Sequence, residues 1–319
     1  MRIVVTGATG NIGTAVVRRL SRDDHELVGL ARRVPDNPGG AGSPAVTWES
    51  VDLTRVASAR LADTFAGADA VVHLAWAFQP SHDLDQLREL GVGGTRRVVE
   101  AVQAAGVRQL VHLSSVGAYS PREDDDPVTE SWPTMGVPTS RYSRHKAAAE
   151  RILDTLEAMS TATTVTRLRP GIVGQREAGS ALLRYGVPGL VPARVLGWLP
   201  VLPLDRRLRI PMVHADDVAD AVARVIDQRA GGAFNLAADP PLTAAAIAAG
   251  LGARLVHVPS ALLRPLVSAG WHLRLQQLDT GWLDMAFAVP LLDTTRARTE
   301  LGWSPSRDAE AVFAEVEQG

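Results

Sequence analysis

One position carries chemistry that arginine cannot supply. Of the 33 basic residues in this 319-residue sequence, 32 are arginine and one, Lys146, is lysine. An ammonium is a compact charge with three donors, and a planar guanidinium does not replace it at crowded sites. Tyr142 precedes it by four residues, in a chain with three tyrosines. On a helix, positions i and i+4 share a face, so phenol and ammonium would lie together. Thr139 or Ser140 could cap the start of that helix. A phenol with a pKa near ~10 is a poor proton shuttle at neutral pH, but an adjacent cation favours the phenolate, and tyrosine then serves as general acid or base. Ser143 and Lys146 also satisfy the S-x-x-K spacing of serine acyl enzymes, but the companion motifs of those enzymes are absent.

A second constellation lies at the start of the chain. Thr6-Gly7-Ala8-Thr9-Gly10-Asn11-Ile12-Gly13 follows an apolar run and opens a stretch of helical period. Glycines between a first strand and a first helix permit a tight turn, close backbone approach to a pyrophosphate, and packing of helix on strand, while the helix N-terminus favours negative charge. The next apolar run ends in Ala31-Arg32-Arg33, where NAD-binding folds usually carry an acidic residue for the ribose 2′-hydroxyl. With no carboxylate there and two arginines in its place, NADP(H) is expected over NAD(H).

Positioning these groups needs a sheet. Short apolar runs at Arg2 to Val5, Glu26 to Leu30, Val46 to Val51, Ala70 to Leu74, Arg108 to Leu113 and Thr163 to Leu168 alternate with helical stretches at Ile12 to Leu20, Arg55 to Phe65, Asp83 to Ala105 and Ser140 to Ala158. Successive βαβ units, and hence a parallel sheet, are the economical topology. A helix from Asp216 to Gln228 and a strand from Ala233 to Leu236 return to that core, and the Pro- and Gly-rich stretches around them read as insertions. Val34 to Pro44 and the acidic Arg122 to Asp126 read as loops. With 46% hydrophobic and 21% charged residues the chain can bury a sizeable core, and a net charge of -2 gives no broad footprint for nucleic acid or an anionic membrane. Leu182 to Leu204 is apolar, but its arginines and prolines argue against a membrane span. Zero cysteines exclude disulfides and thiolate chemistry, and the eight histidines show no metal-ligand spacing, so no metal is expected. No export signal is visible, and the expected location is cytoplasmic.

His112-Leu113-Ser114-Ser115-Val116-Gly117-Ala118-Tyr119 then ends the fifth strand at the carboxyl edge, where open α/β sheets place ligands. Together with the glycine loop, Y-x-x-x-K, Arg169-Pro170-Gly171, Val213-His214-Ala215-Asp216-Asp217 and Leu301-Gly302-Trp303, these residues resemble the extended short-chain dehydrogenases/reductases, the NAD(P)-dependent epimerase/dehydratase family, across nearly the whole chain. The resemblance implies a catalytic trio of Ser115, Tyr142 and Lys146, with Ser114 as supporting neighbour. It implies a dinucleotide held by Gly7, Thr9, Gly10, Asn11, Ile12, Gly13, Arg32, Arg33, Asp52, Leu53, Leu74, Ala75, Lys146, Pro170, Gly171 and Ile172; Asp52 reads almost as well as an ordinary strand-end turn residue. Three departures narrow it. Gly91 stands where the family usually has asparagine, which bears on the proton relay; Val116 and Gly117 replace the acidic residues of sugar dehydratases; and Ile210 replaces an arginine that in nucleotide-sugar epimerases meets substrate phosphate, although Arg209 is adjacent. The apolar Leu196 to Leu204 suits a hydrophobic substrate, with Trp76, Phe78, Trp198 and Trp271 as candidate lining.

The expectation is an α/β protein, a Rossmann-type doubly wound parallel sheet with a smaller C-terminal substrate-binding region. Residues 1–170, with 212–237 returning, would form the dinucleotide-binding core, and 171–211 and 238–319 the substrate side. The expected function is NADP(H)-dependent reduction of an apolar carbonyl, with tyrosine as proton donor. The alternative is an NAD-dependent nucleotide-sugar epimerase, and a non-catalytic dinucleotide-binding regulator would need a broken trio. The partner is a small molecule, with no nucleic acid or membrane, and the chain is expected to be a monomer or homodimer.

Overall fold

The computed structural model describes residues 1–35, 46–77, 81–159, 162–178 and 200–318. Its centre is a seven-stranded sheet built from β1 (Arg2–Thr6), β2 (Glu26–Ala31), β3 (Val46–Ser50), β4 (Ala70–His73), β5 (Gln109–Leu113), β6 (Thr164–Pro170) and a last strand, Gly232–Leu236. The spatial order is Gly232–Leu236, β6, β5, β4, β1, β2, β3, and every pairing in it is parallel. The apolar runs are continuous because both faces are covered. Successive residues alternate between two cores: Ile3, Val5, Val72 and Val111 face one, and Val4, Val28, Val71 and Leu110 the other. Helix α1 (Asn11–Leu20) and the helix Ala215–Gln228 cover the first core through Val16, Leu20, Val218 and Val222. The second is covered by α2 (Ser58–Phe65), by α4 (Gly94–Ala105), which follows the short α3 (Leu84–Arg88), and by α5 (Arg141–Met159), chiefly through Leu61, Phe65, Val98, Val102 and Leu153.

The expected helix Asp83 to Ala105 is interrupted. Between α3 and α4 the chain makes one wide, π-helical turn over Glu89–Gly93, in a glycine-rich stretch whose weak helix preference lets tertiary contacts choose the geometry. The second expected helix starts at Ser58 rather than Arg55, because Asp52 first folds Thr54 into a turn: its Oδ1 accepts from the Thr54 amide at 2.9 Å and from its hydroxyl at 2.7 Å. Outside the sheet, Ile172–Gly174 pairs with Met212–His214, Arg209–Ile210 with Leu242–Thr243, and Val201–Leu204 with Arg254–His257. Most of Val34 to Pro44 and of Leu182 to Leu204 lies outside the described residues. Among those described, no helix is long and apolar enough to cross a membrane.

Candidate active site

β1 and β4 are neighbours although two strands separate them in sequence, so the sheet's order reverses here and a crevice opens at the carboxyl ends of these strands. The glycine loop fills one side of it. Gly7 has φ +71° and donates its amide to the Leu30 carbonyl at 2.9 Å; a Cβ there would lie 2.7 Å from the Ala75 backbone nitrogen. Gly13 is closer still, since a Cβ would meet the Gly7 carbonyl oxygen at 2.1 Å. These two glycines are set by packing within the protein. Gly10, which caps α1 without a side-chain hydrogen bond, is exposed and borders the crevice. The first amides of α1 are therefore available to a ligand, and the buried Asn11 Oδ1 beside them has no hydrogen-bond partner among the described residues. A glycine cradle and a bare helix N-terminus fit a dinucleotide pyrophosphate, and the Asn11 Oδ1, which can only accept, fits a hydroxyl or amide donor of the same cofactor rather than its phosphates.

On the other side, α5 starts with Ser140, whose hydroxyl accepts from the Ser143 amide at 3.3 Å, so Ser140 rather than Thr139 makes the capping contact. Tyr142 and Lys146 then face the crevice. The Tyr142 phenol is hydrogen-bonded to the Ser115 hydroxyl, and burial pushes its pKa up to about 12. Lys146 is 2% exposed, donates from Nζ to the Leu113 carbonyl at 2.9 Å, and is lowered to about 7 by burial against an opposing contribution from Glu150. The two serines part company: Ser115 meets Tyr142, whereas Ser114 donates to Glu150 Oε1 at 2.5 Å. These groups share one cleft of about 350 Å³ with the glycine loop, Pro170, Gly171 and Ile172.

Residues 3–237 match the NAD dependent epimerase/dehydratase family. The chain belongs to that family. Among its relatives, a 3-diazoavenalumate denitrifying reductase from a Streptomyces species is 29% identical, over 96% of each chain. An uncharacterized protein of Mycobacterium tuberculosis is also 29% identical over 97% of this chain, but the chain spans about 29% of the length of that relative. The solved structure of MoeE5 in complex with UDP-glucuronic acid and NAD superposes with a TM-score of 0.75 at 20% identity, covering 100% of this chain and 98% of that one. Relatives thus include reductases and epimerases.

Of the residues expected at the site, the structure brings Gly7, Gly10, Asn11, Ile12, Gly13, Leu74, Ser115, Tyr142, Lys146, Pro170, Gly171 and Ile172 to the cleft. Thr9 is exposed beside it, and Ala75 is packed under Gly7. Asp52 and Leu53 lie elsewhere: Asp52 borders a separate polar groove and makes the Thr54 turn, and Leu53 is buried in the second core. Arg32 and Arg33 are exposed past the tip of β2, with no salt bridge among the described residues. Trp76 lines the cleft, but Trp271 does not; it stacks on His82 at 3.8 Å in a small side recess. Phe78 and Trp198 fall outside the described residues. Sequence reasoning missed the apolar wall of Trp282, Met285 and Val289, which come from or just follow the helix Thr280–Ala288. Their i, i+3, i+7 spacing is the signal that could have found them. It also missed Glu150, one turn past Lys146, which anchors Arg169 beneath the cleft. Other motifs of the family have structural work here: His214 caps the helix Ala215–Gln228, and the Trp303 indole donates to the Asp217 carbonyl at 2.8 Å.

Proposed function

We propose that the protein is an NADP(H)-dependent reductase of a mostly apolar ketone or aldehyde. The observation that carries this reading is the wall around the Ser115 and Tyr142 hydroxyls: Trp76, Val116, Leu278, Trp282, Met285 and Val289. Such a wall binds hydrocarbon and leaves orientation to a few converging polar groups. A dihydronicotinamide, when bound, supplies a hydride to the carbonyl carbon. Tyr142 gives its phenolic proton to the carbonyl oxygen, and Ser115 hydrogen-bonds the same oxygen, so the product is an alcohol. Burial raises the Tyr142 pKa to about 12 and so keeps it protonated at neutral pH, the form a proton donor requires. Lys146 holds the cofactor end with its ammonium, and Arg32 and Arg33 receive a 2′-phosphate. Residues 1–170 and 212–237 hold the dinucleotide in this reading, and 171–211 and 238–319 the substrate.

A second reading, an NAD-dependent nucleotide-sugar epimerase, is favoured by Arg209, which lines the same cleft with its Nε 3.5 Å from Asp125. A single panel separates the two. Purified protein is offered NADPH with bulky apolar ketones and, separately, nucleotide diphospho-sugars. NADPH oxidation with the ketones is the expected result. Thermal protection by nucleotide sugars alone, together with tightly retained NAD, would replace the reductase by the epimerase.

A further inference from the structure

We propose that Trp76 is a positioning residue for Lys146, and that position 91 is glycine because the Trp76 indole fills the space a side chain there would need. The inference rests on the reading of Lys146 as part of the reductive site. One of the three donors of the Lys146 ammonium is taken by the Leu113 carbonyl. In another direction, Nζ lies 3.7 Å from the centroid of the Trp76 ring, over its face. The negative face of an indole attracts a cation most strongly where water is excluded, and Lys146 is almost wholly buried. The remaining direction is the cleft that Lys146 lines.

The indole is held from behind. A Cβ added to Gly91 would stand 2.9 Å from Cη2 and 3.0 Å from Cζ2 of Trp76. The backbone there has little freedom to retreat: Gly91 is buried in the wide turn Glu89–Gly93, and its carbonyl accepts from the Thr95 hydroxyl at 2.6 Å. Any side chain at position 91 would push the ring toward Lys146 or away from it. On its remaining side the indole meets Tyr142 edge-on, with ring centroids 6.3 Å apart and planes at 81°. One side chain therefore touches the turn, the ammonium and the phenol, and sets the spacing of the last two. Its effect on Lys146 is readable at neutral pH because burial already brings that ammonium to about 7.

The chain's single lysine makes a direct test available. Protein grown with lysine labelled at Cε and Nζ gives one side-chain signal, which reports both ring shielding and the Lys146 titration. In the wild type the ε-methylene signal should lie upfield of free lysine. Trp76→Leu should abolish that shielding and Trp76→Phe keep part of it, while Gly91→Ala, which leaves the indole present but displaced, should weaken it. In Trp76→Leu and Gly91→Ala the Lys146 titration should move by roughly half a pH unit or more, and kcat should fall roughly 3- to 30-fold with KM for the carbonyl little changed. An unshielded wild-type signal would overturn the proposal. So would a folded Trp76→Leu with unaltered titration and kcat, and Gly91→Ala and Trp76→Phe decide the matter if Trp76→Leu does not fold. Turnover that survives both Lys146→Arg and Tyr142→Phe would remove the reductive reading itself, separately from the shielding result.

Discussion

Glu150 lies one helical turn beyond Lys146 and grips Arg169 with both carboxylate oxygens, at 2.9 and 2.7 Å, in the buried layer beneath the cleft. Ser114 donates to the same carboxylate, and Arg167 Nε lies 3.3 Å away. Tyr142, Lys146 and Glu150 thus form one stripe along α5 that runs from the proposed proton donor to a structural anchor. Removing one partner of a buried ion pair leaves the other charge uncompensated, so Glu150→Ala should cost ~3–5 kcal/mol of folding stability. Denaturant unfolding checks this. A loss below about 1 kcal/mol, within the range of exposed pairs, would mean that Arg167 and Arg169 find other partners.

The acid side of the stability profile should be set by two histidines. His73 is buried between the Thr6 and Thr95 hydroxyls, at 2.8 and 3.1 Å, and burial lowers its pKa to about 3. His112, its register partner on β5, is likewise held well below its ordinary value by burial, and neither of its ring nitrogens has a hydrogen-bond partner among the described residues. Both are neutral in the fold and would take up a proton near 6.5 when unfolded. Stability is therefore full above about pH 6.5 and declines as the pH falls toward about 3. His112→Phe should shift the acid-unfolding midpoint to lower pH without lowering Tm at pH 8, since an unpartnered ring gives way to an apolar one of similar shape. Acid midpoints that do not move would assign the sensitivity elsewhere.

The fold was legible wherever burial is two-sided. Apolar runs such as Arg2 to Val5 and Ala70 to Leu74 serve both cores, so their hydrophobicity is continuous and their register follows from packing. That Tyr142 and Lys146 share a helix face was legible from spacing and rarity, one lysine and one tyrosine a helical turn before it, whereas Ser115, which lines the same cleft, was pointed to only by the family resemblance. The cleft wall was not, because Trp282, Met285 and Val289 come from a segment read only as an insertion, and only the tertiary fold sets its face against Tyr142, where Trp282 lies at 5.0 Å between ring centroids. The wide turn at Glu89–Gly93 was hidden for the same reason. Three glycines within four residues, Gly91, Gly93 and Gly94, say that a helix is weak, not that an indole sits behind it.

Cofactor choice should depend on the tip of β2. Arg32→Ala is expected to weaken NADPH binding by ~1.5–3 kcal/mol, the worth of charged hydrogen bonds, and to leave NADH binding nearly unchanged. Titration of each nucleotide against wild type and variant is the measurement. Equal affinities in the wild type, or a preference for NADH untouched by the substitution, would reverse the assignment.

Lys146→Arg should nearly abolish turnover, although it preserves the charge. The ammonium sits between the Leu113 carbonyl at 2.9 Å and the Trp76 ring at 3.7 Å. A guanidinium must spread its fork through the same space, and the indole cannot recede because Gly91 is packed behind it. The strain should lower stability by roughly 1–3 kcal/mol, as overpacking does, without loss of the fold. Displacement of the neighbouring phenol by about 1 Å is enough to cost on the order of a hundredfold in rate. Tyr142→Phe should be at least as damaging, because it removes the transferred proton, yet it creates no cavity and should melt like the wild type. Steady-state rates with circular dichroism and melting curves for both variants distinguish loss of chemistry from loss of structure. If Lys146→Arg turns over at a near-normal rate while Tyr142→Phe is dead, the single lysine has no chemical reason to be a lysine, and its role reduces to a positive charge.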